Sequence, residues 1–278
     1  MLSRCSGHRR HVLEEGSEVP RKKTTLSVLR TEALTPHMHR VYLGGANFDD
    51  FDAIDQTDAY VKLFLGTEEE PIMRTYTVRS VDTVAREIAI DFVVHGDEGV
   101  AGPWATQAKP GDEMSFFGPS GGYAPRADAD WHLFAGDESA IPAISAAVEA
   151  LPEDAIAKVF IEVADRHDEI YMETLAVVDV TWIHRGAASN EIDDDHAGDN
   201  APLIAAVKNT EWLPGQAQVF VHGEAQAVMH NIRPYIRKER GVAAEWASIS
   251  GYWRRGRTEE TFRVWKRELA QAESGVDA

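Results

Sequence analysis

Two groups of residues in this chain have the types and spacing to handle a large anion. The first is Arg74-Thr75-Tyr76-Thr77-Val78-Arg79. Thr, Tyr and Val favour strands, and alternation would put Arg74 and Tyr76 on one face and Thr75, Thr77 and Arg79 on the other. A guanidinium fork two residues from a flat phenol ring suits a phosphate beside a fused ring, the pairing a dinucleotide cofactor asks for. On local rules a half-exposed strand with its arginines in water is the simpler account, and context has to decide. The second group is Arg254-Arg255-Gly256-Arg257, directly after Tyr252-Trp253. Three arginines beside two aromatic rings could grip a bulky anion with aromatic or chelating groups. A solvated linker with snorkelling arginines explains them about as well.

Other motifs are weaker. Gly136-Asp137-Glu138-Ser139 lies between a buried-type strand and a helix, where parallel sheets bind ligands, but the G-x-G-x-x-G fingerprint is absent. An ordinary strand-to-helix turn is the simpler reading, and two carboxylates there would repel phosphate unless they face ribose hydroxyls. Val93-Val94-His95-Gly96 followed by Gly99-Val100-Ala101-Gly102-Pro103-Trp104-Ala105 is a glycine-rich turn entering a short helix; its backbone amides suit a pyrophosphate, and a structural turn equally. Asp193-Asp194-Asp195-His196-Ala197-Gly198 fails the calcium-loop template and reads as a solvated acidic loop. His37 and His39 lack a third ligand, so no metal site is expected. No G-x-S-x-G elbow, P-loop or H-E-x-x-H occurs, which argues against the common hydrolase and kinase chemistries.

The elements that must position these groups fall into two rhythms. From Thr24, short β-like runs alternate with turns: Thr25–Thr31, His39–Gly44, Tyr60–Leu65, Arg74–Ser80, Glu87–Val94 and Glu113–Gly118. They predict a small antiparallel barrel with one short helix near Trp104. After Gly121-Gly122 strands alternate with helices: strands at Trp131–Ala135, Lys158–Val163, Val180–Arg185, Gln218–His222 and Ala247–Trp253, and helices at Ile141–Leu151, Ala201–Trp212 and Gln226–Arg240, the last bent at Pro234. That order predicts a parallel sheet with helices on both faces. Thr258 can cap a final helix with Glu259 and Glu260 in its first turn and Phe262, Trp265 and Leu269 as its apolar stripe. The expected divisions are a flexible segment 1–22, a barrel 23–126, an α/β unit 127–246 and a C-terminal strand, basic segment and helix 247–278.

With 278 residues, 44% of them hydrophobic, the chain can build two cores. Its formal net charge of −18 repels nucleic acid and anionic lipid, so an anionic substrate needs a local basic cluster. The single cysteine, Cys5, allows no internal disulfide, thiolate metal site or iron–sulfur cluster, and the first ten residues lead into no apolar run. A cytoplasmic protein without stable membrane insertion is expected.

Five motifs, in order, resemble the siderophore-interacting protein family of flavin-dependent ferric-siderophore reductases. They are Arg74–Arg79; Asp91-Phe92-Val93-Val94-His95-Gly96 with Gly102-Pro103-Trp104-Ala105; Phe134 through Ile144; His222-Gly223-Glu224-Ala225; and Gly251-Tyr252-Trp253-Arg254-Arg255-Gly256. The resemblance spans residues 24 to 270. It implies a ferredoxin-reductase-like architecture, a six-stranded FAD-binding barrel followed by an NAD(P)H-binding parallel-sheet domain and a C-terminal helix. By resemblance, FAD would be held by Arg74, Thr75, Tyr76, Thr77, Val78, Asp91, Val93, His95, Gly96, Gly102, Trp104 and Ala105. Asp137, Glu138 and Ser139 would lie at the nicotinamide side. Trp253, Arg254, Arg255 and Arg257 would meet the ferric-siderophore. Electrons would pass from NAD(P)H through FAD to ferric iron, with no dedicated acid, base or nucleophile. NADH and NADPH both stand as donors, because Asp165-Arg166-His167 offers both signs where a 2′-phosphate would sit, and ferredoxin is a further candidate. The chain departs from the family pattern at Ser120, where a basic residue is usual, and in the acidic segment Glu191–Asp199. A monomer is expected; another flavin-dependent reductase of the same architecture and a non-catalytic ferric-siderophore carrier are the alternatives to the reductase.

Overall fold

The computed structural model describes residues 22–274 apart from 68, 97 and 98; the segment to residue 21, Cys5 included, and residues 275–278 lie outside the described residues. Six strands close an antiparallel barrel: β1 (Lys23–Thr35), β2 (Met38–Gly44), β3 (Tyr60–Gly66), β4 (Pro71–Asp82), β5 (Glu87–Val93) and β6 (Glu113–Ser120), in the order β1-β2-β5-β4-β3-β6. β1 and β4 run longer than their apolar alternation suggests. Ladder pairing extends them: β1 pairs with both β2 and β6, and β4 with both β3 and β5. Inward residues such as Leu26, Val41, Val61, Leu63, Ile88, Ile90 and Phe116 fill the barrel. Each such side chain contributes roughly 1.5–3 kcal/mol by leaving water. The short helix α1 (Ala101–Gln107) packs against β2 and β5.

The second half is a parallel sheet ordered β11-β10-β7-β8-β9, made of β7 (Trp131–Asp137), β8 (Ile156–Val163), β9 (Val177–His184), β10 (Ala217–Glu224) and β11 (Ala247–Trp253). Helices cover both faces. α2 (Ile141–Glu149) packs on one, in a core that also takes Met38 and Tyr123 from the barrel side. On the other face lie α3 (Pro202–Asn209) and the helical run Gln226–Glu239. That run is not simply bent at Pro234 but is wound as π-helix over Gln226–Ile232 and Tyr235–Glu239. Proline has no N–H for an i−4 bond, and its ring crowds that carbonyl. The wider winding is visible where Arg240 N donates to Tyr235 O at 3.0 Å. The C-terminal helix α4 (Glu259–Ser274) follows β11; Phe262 is buried and Phe262 N donates to Thr258 O, as the capping pattern predicts.

Candidate functional site: the parted edge of the barrel and the carboxyl ends of the sheet

Strand β4 is shared between two partners along its length. Pro71–Thr77 pairs with β3, whereas pairing with β5 covers only Val78–Asp82. The barrel therefore parts between Arg74–Thr77 on one side and the stretch from Asp91 into α1 on the other. Register settles the two faces of β4. Arg74 and Tyr76 sit opposite the buried Leu63 and Val61, and Thr75 and Thr77 opposite Lys62 and Tyr60. Tyr76 lies against Phe92, ring centroids 4.5 Å apart, and Phe92 against Trp104 at 5.5 Å. Burial raises the Tyr76 phenol above its ordinary value, so it is a neutral ring at any working pH.

The polar groups of this edge are hydrogen-bond donors, and they hold carboxylates. Arg74 Nη1 donates to Met73 O and, at 2.8 Å, to Glu260 Oε1 of α4. Thr75 donates its amide to Glu259 at 3.2 Å and its hydroxyl to the same carboxylate at 3.0 Å. Thr77 is buried facing the Tyr252 hydroxyl, and Arg79 pairs with Glu149 of α2. An edge that collects carboxylates on a guanidinium, an amide and a hydroxyl, beside an aromatic ring, fits an anionic dinucleotide such as FAD. Val78 is buried in the barrel core.

Across the parting, Asp91 is buried and forked by Arg40 at 2.5 and 2.8 Å, so its carboxylate serves the barrel wall. Val93 ends β5, and His95 Nε2 lies 3.3 Å from Ser189 Oγ of the α/β unit. Gly96 takes a left-handed φ of 56° with open space where a Cβ would go. A Cβ on Gly102 would come 3.2 Å from Val93 O, so that glycine and the buried Ala105 seat α1 closely on the barrel.

The carboxyl ends of the parallel strands are organised differently. Asp137 is buried, yet it accepts four hydrogen bonds: Ser139 N at 2.9 Å and Ser139 Oγ at 2.5 Å on one oxygen, Glu224 N at 2.7 Å and Trp253 Nε1 at 2.8 Å on the other. Burial pushes Asp137 up to about 6 against the pull of those donors. Gly136 precedes it because a Cβ there would strike His222 O at 2.5 Å. Glu138 is buried and forked by Arg185 at 2.5 and 2.7 Å, and Glu162 stands 3.7 Å from the same guanidinium while accepting Leu203 N. Burial, with one guanidinium among three carboxylates, pushes Glu162 up to about 7. Asp165 accepts from His167 N and lies 2.9 Å from His167 Nδ1 on an exposed turn.

β11 carries the basic stretch to the same end of the sheet. Trp253 is fixed by Asp137; Arg254 lies 3.6 Å from Glu224 with its guanidinium over Trp265; Arg255 lies 3.4 Å from Asp194 of the acidic loop. Arg255 Nη1 is buried with no protein partner. Arg257 is exposed. No cluster able to hold a metal ion occurs among the described residues. Sequence reasoning missed Glu259 and Glu260 as partners of the barrel edge, because their position signalled only a helix first turn. Arg185 and Glu162 it also missed, since each belongs to an otherwise apolar strand or its end.

A six-stranded antiparallel barrel leading into a five-stranded parallel sheet of this order is a ferredoxin-reductase-like fold. A ferredoxin NADP+ reductase from Neisseria gonorrhoeae with bound FAD and NADP shares that fold, with a TM-score of 0.62 at 14% identity over 84% of this chain and 99% of the other. The sequence pattern of the siderophore-interacting protein matches residues 129–256, and that of the siderophore-interacting FAD-binding domain matches 27–71 and 65–123. The chain belongs to the siderophore-interacting protein family. It is 31% identical to the ferric vibriobactin reductase of Vibrio cholerae over 85% of this chain and 91% of that one. An uncharacterised protein of Mycobacterium tuberculosis is 56% identical over 90% of this chain and 96% of its own. A siderophore utilization protein from T. fusca, 36% identical, superposes with a TM-score of 0.75 over 86% of this chain and 95% of the other. No helix among the described residues is long and apolar enough to cross a membrane.

Proposed function

We propose that this protein is an NAD(P)H- and FAD-dependent ferric-siderophore reductase that releases ferrous iron in the cytoplasm. The observation that carries the reading is the parted edge of β4, where Arg74, Thr75 and the Tyr76 ring offer anion donors beside an aromatic flank. It stands with FAD-binding family membership and reductase relatives. FAD would be held by residues 23–126, along Arg74–Val78 on one side and from His95 through Ala105 on the other. NAD(P)H would meet the carboxyl ends of the sheet in residues 127–246. There, Asp137 and Glu138 would act by shaping the Gly136–Ser139 turn, since their oxygens are engaged internally. FAD, when bound there, would supply the redox chemistry that links a two-electron donor to a one-electron acceptor.

The chain's own residues bind, orient and exclude water. Tyr76 and Phe92 give a dry aromatic wall. Asp137 fixes Trp253 and with it the exit of β11, from which Arg254, Arg255 and Arg257 follow directly. Arg255, whose side chain is partly exposed beside Asp194, would meet the chelate's oxygen donors. Ferrous iron is softer than ferric and binds hard oxygen ligands less tightly, so reduction loosens the chelate. The test is an anaerobic spectrum of the purified, FAD-loaded protein, titrated first with NADH and NADPH and then with a ferric-siderophore. Bleaching by one donor and recovery of the yellow colour on adding the chelate is expected. A protein that binds the chelate but takes up no flavin would instead be a carrier.

A further inference from the structure

We propose that the first turn of α4 is an internal anion that occupies the cofactor's phosphate cradle, so that FAD binding must displace Glu259 and Glu260. The inference rests on the reading of Arg74–Thr75 as the FAD phosphate site. All the contacts are between charged or polar groups. Glu260 accepts from Arg74 at 2.8 Å, and the Glu259 carboxylate accepts both the amide and the hydroxyl of Thr75, at 3.2 and 3.0 Å. A carboxylate taking two donors from one residue, with a second carboxylate on the adjacent guanidinium, imitates the oxygens of a diphosphate. Arg263, one turn further along, holds Glu259 in place at 2.5 Å.

The latch is built to open. Glu260 is 60% exposed, so its pair with Arg74 is of the kind that contributes at most about 1 kcal/mol. The rest of the helix is anchored elsewhere: Phe262 is 4% exposed and lies 3.1 Å from the position a Cβ on Gly251 would take, and Lys266 Nζ donates to Gly251 O. Thr258 to Thr261 can therefore yield while Phe262 stays seated. Two carboxylates and a diphosphate cannot share these donors, because the like charges would lie within a few ångströms of one another. The basic stretch Arg254–Arg257 runs straight into this turn, and Arg254 stacks over Trp265 of the same helix. Cofactor loading is thus coupled to the position of the proposed chelate-binding arginines, and by linkage each ligand alters the affinity of the other.

The experiment is a flavin-fluorescence titration of flavin-free full-length protein with FAD, comparing wild type, Glu259→Gln/Glu260→Gln, Arg74→Ala and, as a charge control, Glu268→Gln. Removing the exposed Glu260–Arg74 ion pair, worth up to about 1 kcal/mol, together with the charge that Glu259 places on the Thr75 donors should lower the FAD dissociation constant about fivefold, and Glu268→Gln should leave it unchanged. Amide exchange in residues 259–266 of wild type should speed up when FAD is added. If Glu259→Gln/Glu260→Gln binds FAD no tighter while Arg74→Ala binds it more weakly, the latch is wrong and the cofactor reading stands. If Arg74→Ala binds FAD as wild type does, the cofactor reading fails and the latch with it.

Discussion

The barrel edge at Arg74–Thr77 and the carboxyl ends of the parallel strands both gather charged residues, but they treat them in opposite ways. At the edge, donors lie near the surface and hold carboxylates lent by a helix 184 to 186 positions away in sequence. At the strand ends, Asp137, Glu138, Glu162 and Arg185 are buried with internal partners: Arg185 forks Glu138 beside Glu162, and Asp137 accepts from Ser139, Trp253 and the Glu224 amide. The first arrangement can exchange its partner for a ligand at little cost; the second cannot be disturbed without exposing an uncompensated charge. Motif residues of equal sequence prominence thus divide into those free to contact and those that support.

The largest test of that division is Arg185→Ala. It leaves Glu138 and Glu162 buried without their cation and should cost roughly 3–5 kcal/mol in urea unfolding. A loss no larger than that of a typical surface change would erase the distinction. Arg74→Ala should do the reverse: FAD binding should weaken by about tenfold to a hundredfold, as expected for a charged hydrogen bond of roughly 1.5–3 kcal/mol, while the urea midpoint stays where it was.

Acid–base behaviour sharpens the contrast. Glu162 has its folded value pushed up to about 7 from an ordinary 4.5. The folded state therefore holds its proton more tightly, and ionising it penalises folding progressively as pH rises from the ordinary value through 7. The stability of Glu162→Gln relative to wild type should accordingly climb over that window and level off above it. A difference that is flat with pH would place the Glu162 proton wrongly. The smallest effect is expected at Arg255. Its pair with Asp194 is exposed, and Arg255→Ala should raise the KM for a ferric-siderophore a few-fold with kcat nearly unchanged.

The barrel and the parallel sheet were readable in the sequence because period-two alternation and the strand–helix rhythm report burial directly. Arg74 and Tyr76 on one face of β4 followed from the same alternation, and the β3 pairing gives that division. What the sequence could not convey was where β4 leaves β5, since pairing length depends on partners far along the chain. Nor could it show that Asp91, Asp137 and Glu138 spend their carboxylates internally. A motif records residue type, whereas Arg40, Trp253 and Arg185, which consume those carboxylates, lie 51, 116 and 47 positions away. The π-winding around Pro234 was hidden for a related reason: proline forbids one hydrogen bond without dictating which geometry replaces it.

Trapping the product tests the proposed iron reduction at its last step. Catalytic amounts of FAD-loaded protein are mixed anaerobically with NADH or NADPH, a ferric-siderophore and a colorimetric ferrous chelator. Ferrous complex should form over many turnovers with one of the donors, and none should form when either the donor or FAD is left out. A protein that binds FAD and the ferric-siderophore yet yields no ferrous iron with either nicotinamide would contradict the proposed reduction.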